Sequence, residues 1–563
     1  MQKFSAIEYH RPDLAQIHAL IDQTAQILRT APDAEHALAA FTDYRTQSAA
    51  FETMYSVAQI RSTMDTTDPF YEAEMNFFHE NLPALSVREK TVTQAVLTSP
   101  FRDAFAQHFG TPWLRRLESA QRLADEAIIP EQIEQAKLEQ AYAKTVAGCS
   151  VSFRGETCNF YALLRHMQNP DRSIRRAAFT AWSELYRSVS DTLDEQYSAL
   201  VQLRCRMAQK LGYPSYIEMA YEMHGRYDYS PANIAAFRDE VRRVITPVCT
   251  ELFEQQRRRL HVDRLHWYDE ALVFPQGNPV PRGTVAQLLD AAQKMYRALS
   301  VQTGEFFDFM KQYELFDLPS RPGKHMGGYC SYLPSLNAPF IFSNFNGTSA
   351  DVDVLTHEAG HAFASFTAAK FVPLSDLIWS TNEINEIHSM TMELFTYPWM
   401  DLFFGEQAER YCYAHLCQCL CVIPYLCCVD EFQHKVFENP AMTPAQRRAA
   451  WRQSEQSLMP WRDYEGSDFL QSGGFWMQKQ HIFLYPFYYI DYALAQLCAF
   501  SLFDAYQTDR QAAWQRYLAL CRAGGTMGYF QTLQSAGLTP LFQPGAIEAA
   551  VIPIARQLLR ANL

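Results

Sequence analysis

The sequence contains no apolar run of the length a bilayer demands. Its most apolar stretch, residues 416–429, is cut by Gln418 and Pro424 and is too short to span. A membrane protein is therefore not expected. The opening residues, MQKFSAIEYHRPDLAQ, lack an apolar signal core and meet Arg11 and Asp13 early. Export is not expected, and the default compartment is the cytoplasm. Positive charge is in deficit: 49 Lys and Arg stand against 62 Asp and Glu, a net −13 over 563 residues. That balance argues against nucleic acid or an anionic membrane as main partner. Internal repeats and low-complexity linkers are missing. With 48% hydrophobic and 20% charged residues, disorder as the main state is excluded. An odd count of 13 Cys without an export signal argues for reduced thiols and against a disulfide framework.

Strand signals are few, and helical periodicity fills most of the chain. Apolar residues at three- and four-residue spacing predict helices over 18–30, 34–56, 131–145, 173–188, 193–211 and 231–260. Gly212-Tyr213-Pro214 ends one of them with a glycine stop followed by proline. The basic run 256–259 reads as a solvated helix face. A short alternating run at 149–153 predicts a hairpin arm closed near Gly155. A second strand region spans 326–345. There Gly327-Gly328 precede Tyr329-Cys330-Ser331-Tyr332, and Pro339-Phe-Ile-Phe-Ser-Asn-Phe345 ends at Asn346-Gly347. The expectation is a mostly α protein with a small sheet just before a helix.

That helix carries the chemistry. Residues 357–361 read His-Glu-Ala-Gly-His, the HExxH pattern. Histidines at i and i+4 share one helix face, so both imidazoles can reach one metal ion. Glu358 beside them can act as general base on water. Ser349 or Asp351 is expected to cap the helix, with Val352, Leu355, Ala359, Ala362 and Phe366 as its buried stripe. The strand over 340–345 offers an edge for an extended peptide. Among 16 His, HExxH alone has moderate weight, so the third ligand decides. The metzincin extension would need His at Thr367 and Gly at Ala364. Glutamate spacings of 20 and 19 residues land on Thr381 and Ser380. All fail. The carboxylates between His361 and Pro398 are Asp376, Glu383, Glu386 and Glu393. The last three lie on one face of a helix that opens with a capping box, Ser380 to Glu383, and is otherwise apolar. This favours a metal ligand with supporting acids over a solvated stripe.

These residues resemble a known family. His357-Glu-Ala-Gly-His361, followed 25 residues on by Glu386 within Glu383-Ile-Asn-Glu-Ile-His-Ser-Met-Thr-Met-Glu393, is similar to the thimet oligopeptidase and oligoendopeptidase F metallopeptidases. Glu-Ile-His-Ser is closer to the oligoendopeptidase F and Pz-peptidase branch. The likeness extends to Lys210-Leu-Gly-Tyr-Pro-Ser-Tyr216, Gly277-Asn-Pro279, Pro339 to Thr348, Val429-Asp-Glu-Phe-Gln-His434 and the block from His481 to Gln496. It implies a zincin-type catalytic core with a small β-sheet. It also implies two largely helical halves flanking a deep channel: an N-terminal helical wall, 1–200, and a zinc peptidase region, 201–563. It implies a zinc-dependent endopeptidase of short peptides, with one Zn²⁺ on His357, His361 and Glu386 and Glu358 as base. Such a donor set also accepts cobalt or manganese. Glu393 is expected to orient a ligand histidine.

The 481–496 block, read as one helix, lines up His481, Tyr485, Tyr488 or Tyr489, and Tyr492, with Pro486 in the first turn. An aromatic stripe at this spacing is more often core. The resemblance implies instead that His481, Tyr489 and Tyr492 act on the substrate, stabilising the oxyanion. Tyr485 and Tyr488 are expected to bind substrate, as are His325, Gly327 and Gly328. Gly466, Gly473 and Gly474 suggest a flexible loop that orders over peptide. The cluster from Cys412 to Cys428 reads as small buried hydrophobes, not a metal site. Asn346-Gly-Thr348 matches a glycosylation acceptor, without meaning unless exported. Two rival readings remain: a zinc carboxypeptidase-like exopeptidase, and a non-catalytic peptide-binding module, which the intact Glu358 disfavours.

Overall fold

The computed structural model describes residues 1–561. Helices dominate, as expected, and strands are confined to one hairpin and one three-stranded sheet among the described residues. The chain forms two compact units. One comprises residues 1–126, 280–408 and 502–539; the other comprises 127–279, 409–501 and 540 onward. A boundary at residue 200 would cut the helix Arg172–Lys210, whose apolar face is buried along its length.

The first unit opens with five helices, Leu14–Thr30, Ala34–Met64, Pro69–Leu97, Arg102–Phe109 and Thr111–Leu123. Their starts follow from capping chemistry. Asp13, Asp33 and Asp68 each accept a backbone N–H of the turn they open. Ile21, Leu28, Phe41, Val96, Phe105 and Trp113 fill the core between them. The helix predicted over 34–56 runs on to Met64.

The sheet of this unit contains β3 (Phe316–Pro319), β4 (Tyr329–Leu333) and β5 (Ala338–Phe345), after the hairpin strands β1 (Val151–Phe153) and β2 (Glu156–Cys158) of the other unit. Its order is β3-β5-β4, with β3 parallel and β4 antiparallel to β5. Tyr329 faces Phe342, and Leu333 faces Ala338. A 3₁₀ turn, Pro334–Leu336, and left-handed Asn337 (φ 47°) reverse the chain between them. The edge expected over 340–345 is corrected here. β5 is the central strand, laddered on both sides and almost wholly buried. The strand with one partner beside the motif is β4.

In the second unit the hairpin β1–β2 turns at Arg154 (φ 52°) and Gly155 (φ 86°). Two left-handed residues match the right-handed strand twist. The two helices predicted over 173–211 are one, Arg172–Lys210. The apolar region also differs from expectation. Within residues 401–438 the most apolar window has a mean hydropathy of 1.7, and the stretch is long enough by composition to cross a membrane, yet 61% of that window is buried. The chain breaks there into Ala408–Cys421 and Ile423–Glu438, and the two inner acids of the latter helix are paired. Asp430 binds Arg238, and Glu431 binds Arg242 at 2.6 Å. Paired acids and burial mark core helices. All thirteen cysteines are free, and Cys419, Cys427 and Cys428 are buried as small apolar residues.

Candidate active site

The HExxH residues lie on the helix Ala350–Ala368. Its start differs from expectation. Ser349 holds the cap position without a side-chain bond. Asp351 instead accepts Asn346 N–H (2.9 Å) and Gly347 N–H (2.8 Å), tying down the loop ahead. Val352, Leu355, Ala359 and Ala362 are buried as expected, while Phe366 is half-buried.

Glu386 lies on the helix Asn382–Phe395. The predicted capping box is not formed. The Asn385 side chain folds back instead, accepting Ser380 N–H (3.1 Å) and donating to Ser380 O (3.3 Å). The two helices meet at Gly360. A Cβ there would lie 2.5 Å from Ser389 Cα and 2.7 Å from His388 O. Only glycine permits this approach, and it sets the height of Glu386 against the histidines. The helix Arg510–Ala523 braces the pair, with Tyr517 donating its hydroxyl to His388 O at 2.9 Å.

Three donors converge. Nε2 of His357 and Nε2 of His361 each lie 3.4 Å from Glu386 Oε2. Metal–ligand bonds of about 2.0–2.1 Å at a tetrahedral angle separate neighbouring donors by roughly 3.3–3.4 Å, so the residues fit zinc. His361 Nδ1 is buried without a hydrogen-bond partner. Burial would raise the Glu386 carboxyl, but the His361 and His357 imidazoles hold it far below the usual carboxylate range. Ser389 Oγ donates to Glu386 Oε2 at 3.1 Å. Sequence reasoning missed Ser389, whose signal is its position one turn beyond Glu386. Glu393 Oε1 accepts His357 Nδ1–H at 2.6 Å. That bond fixes the tautomer that leaves Nε2 as a lone-pair donor.

Glu358 is buried. Burial pushes its carboxyl upward, opposed by His357 and His361. Gly328 lies against it. A Cβ on Gly328 would sit 3.0 Å from Val354 and 3.6 Å from Glu358 Oε1. The loop carrying His325, Gly327 and Gly328 is exposed. Asn344 holds it by donating to the carbonyls of His325 and Gly327, each at 2.8 Å, and His325 N–H donates to Thr63 O at 2.9 Å.

In the second unit the single helix expected over the 481–496 block is broken. Gln480–Leu484 ends before Tyr485, and a new helix starts at Tyr489. Pro486 lies in the break, not in a first turn. Phe487 takes a left-handed conformation (φ 65°) because its ring is buried, its N–H donates to Gln433 Oε1 (2.9 Å) and its carbonyl accepts from Arg226 (2.5 Å). The predicted residues still gather. The His481 ring is 5.8 Å from Tyr485, 6.3 Å from Tyr488 and 4.8 Å from Tyr489. Tyr492 is 5.6 Å from Tyr489 and 5.4 Å from Tyr488. The flexible-loop reading of the glycines fails at two positions. A Cβ on Gly473 would meet Arg448 O at 1.9 Å, and one on Gly474 would meet the Phe469 ring at 2.4 Å. These glycines permit close packing.

The sequence matches peptidase family M3 over residues 165–551 and the peptidase M3 N-terminal domain over 4–124. An X-ray structure of a proposed oligoendopeptidase F is similar over 100% of this chain and 99% of its own, with 41% identity and a TM-score of 0.95. A PZ peptidase A solved with an inhibitor is similar over 100% of both chains, with 40% identity and a TM-score of 0.95. An oligoendopeptidase F homolog of Mycoplasma pneumoniae is 26% identical over 39% of this chain, which spans only 36% of that relative's length. By sequence match and by fold, the chain belongs to peptidase family M3.

Proposed function

We propose that the chain is a zinc-dependent endopeptidase that hydrolyses internal bonds of short peptides. The observation that carries this reading is the convergence of His357, His361 and Glu386 beside buried Glu358. The three residues would hold one zinc ion, which when bound supplies Lewis acidity to the scissile carbonyl and lowers the pKa of water. Glu358 takes the proton of the attacking water and passes it to the leaving nitrogen. Its water-poor surroundings make it a stronger base than an exposed carboxylate. Glu393 holds His357 in the tautomer that binds metal.

The peptide lies extended along β4, whose ladder to β5 uses one side of the strand. Gly328 leaves room for its backbone near Glu358, with His325 and Gly327 on the same loop as further contacts. To the second unit we assign the role implied by the family likeness. His481, Tyr489 and Tyr492 donate hydrogen bonds to the carbonyl oxygen as it gains charge, and Tyr485 and Tyr488 contact substrate. The ring cluster around His481 supports this assignment. We place the activity in the cytoplasm, where free cysteines persist.

The test is cleavage of end-capped, internally quenched peptides of increasing length, with chelator and then with zinc restored. Internal cleavage that chelator abolishes, zinc restores and length suppresses is the expected result. Failure on every capped peptide, with cleavage of uncapped ones, would assign an exopeptidase. Glu358→Gln is expected to keep zinc and lose about 10²–10⁴-fold in kcat; turnover equal to that of the unmodified chain would overturn the mechanism.

A further inference from the structure

A cavity of about 420 Å³ lies beside β4 in the first unit. Its walls include Glu52 and Tyr55 from the helix Ala34–Met64, Tyr332 from β4, and Asp376 and Trp379 from the segment after the motif helix. β4 links it to the catalytic residues. Cys330 lines the cavity, and its thiol feels the charge of Glu358. A peptide paired to β4 would direct alternate side chains off the strand, and this cavity is open to one of them.

The charge in the cavity does not balance. Arg45 donates to Glu52 Oε1 at 2.7 Å and, through Nε, to Asp376 Oδ1 at 2.9 Å. Glu89, held by the Tyr44 hydroxyl at 3.1 Å, also feels Arg45 and Asp376. Three carboxylates thus share one guanidinium. Among the described residues, no hydrogen bond engages Glu52 Oε2 or Asp376 Oδ2. Burial pushes the Glu52 carboxyl upward even beside Arg45, and Asp376 and Glu89 add to that. Arg45 needs one carboxylate for neutrality; surplus, half-buried acid costs stability unless a cation arrives.

We propose that this cavity is a substrate subsite for a cationic side chain, lysine or arginine, bound by Glu52 and Asp376 through their unused oxygens. The assignment rests on the peptidase reading above. The aliphatic stem or the guanidinium plane lies on Tyr55, Tyr332 and Trp379, which attract a cation at their faces. The head group gains charge-assisted hydrogen bonds to half-buried carboxylates. A glutamate side chain at the same substrate position is repelled.

The experiment walks one residue through a capped, quenched peptide, comparing arginine, lysine, norleucine and glutamate at each position. At one position arginine or lysine is expected to exceed norleucine by about tenfold or more in kcat/KM. In Glu52→Gln that ratio falls toward one, and in Glu52→Lys the glutamate peptide overtakes the arginine peptide. Glu52→Gln leaves the Arg45–Asp376 bond in place, and thermal melting checks that it folds. The same peptides are titrated by fluorescence anisotropy against Glu358→Gln and the double variant Glu52→Gln/Glu358→Gln. Loss of all cleavage would then overturn the peptidase reading, while the binding ratios still decide the subsite. Absence of a cationic preference at every position, or a preference unchanged in both Glu52 variants, would overturn the proposal. A preference seen only with a free amino terminus, and lost on acetylation, would also overturn it and assign the cavity to the peptide's terminal ammonium.

Discussion

Glu393 reaches the proposed metal site only through His357, whose Nδ1 it holds. Its bond to His357 Nδ1 spans 2.6 Å, short for this pairing. Glu393→Ala removes the acceptor and frees the imidazole to turn and change tautomer. Zinc affinity is expected to fall about 10–100-fold, read by competition with a chromophoric chelator. Unchanged affinity would leave Glu393 with a packing role alone. The sequence made the two histidines legible through their spacing, and it narrowed the third ligand to a few acids. Glu383, Glu386 and Glu393 share a face on paper, the first two buried and the third half-buried. What separates them is where the neighbouring helix passes, which local periodicity does not encode. The shared 3.4 Å contacts of Glu386 single it out.

Elements position these residues, and the tightest joint is Gly360. Gly360→Ala would drive a methyl into Ser389 Cα and His388 O, both backbone atoms that cannot rotate away. The helices must then part, at a cost of about 1–3 kcal/mol. Because Glu386 rides on the displaced helix, zinc affinity should weaken along with stability. Melting curves and zinc titration of the same variant check this; a stable variant with full zinc affinity would show the joint to be slack. Most helices were legible because capping aspartates and apolar periods are local signals. β3 was not, since a four-residue strand offers too short a pattern and its place is set by parallel pairing to distant β5. The break at 485–488 was hidden for a related reason. The spacing of His481, Tyr485 and Tyr492 suits a continuous helix. A buried Phe487 ring against His434 and Phe437 outweighs that local preference.

Across the whole molecule, the proposed metal donors all belong to the first unit, while the buried and half-buried ion pairs of Arg226, Arg238 and Arg242 belong to the second. Zinc binding should therefore slow amide exchange around residues 350–395 and add about 2.7 kcal/mol at a hundredfold excess over Kd. Acid should act on the second unit through Glu431. Burial alone would raise this carboxyl. The Ser454 hydroxyl at 2.7 Å, Lys435 at 3.0 Å and Arg242 at 2.6 Å outweigh it and hold the pKa at about 2, below the ordinary 4.5. The folded state thus binds this proton more weakly than the unfolded chain. The stabilisation is full above about pH 4.5 and drains away as pH falls toward about 2. Between pH 5 and pH 3 the chain should lose up to about 2 kcal/mol through this group, a loss that Glu431→Gln should not suffer. Urea unfolding of both forms at the two pH values, followed at the second unit by amide exchange, measures the difference. Equal acid losses in the two forms would mean that the three partners do not hold Glu431 charged in the folded protein.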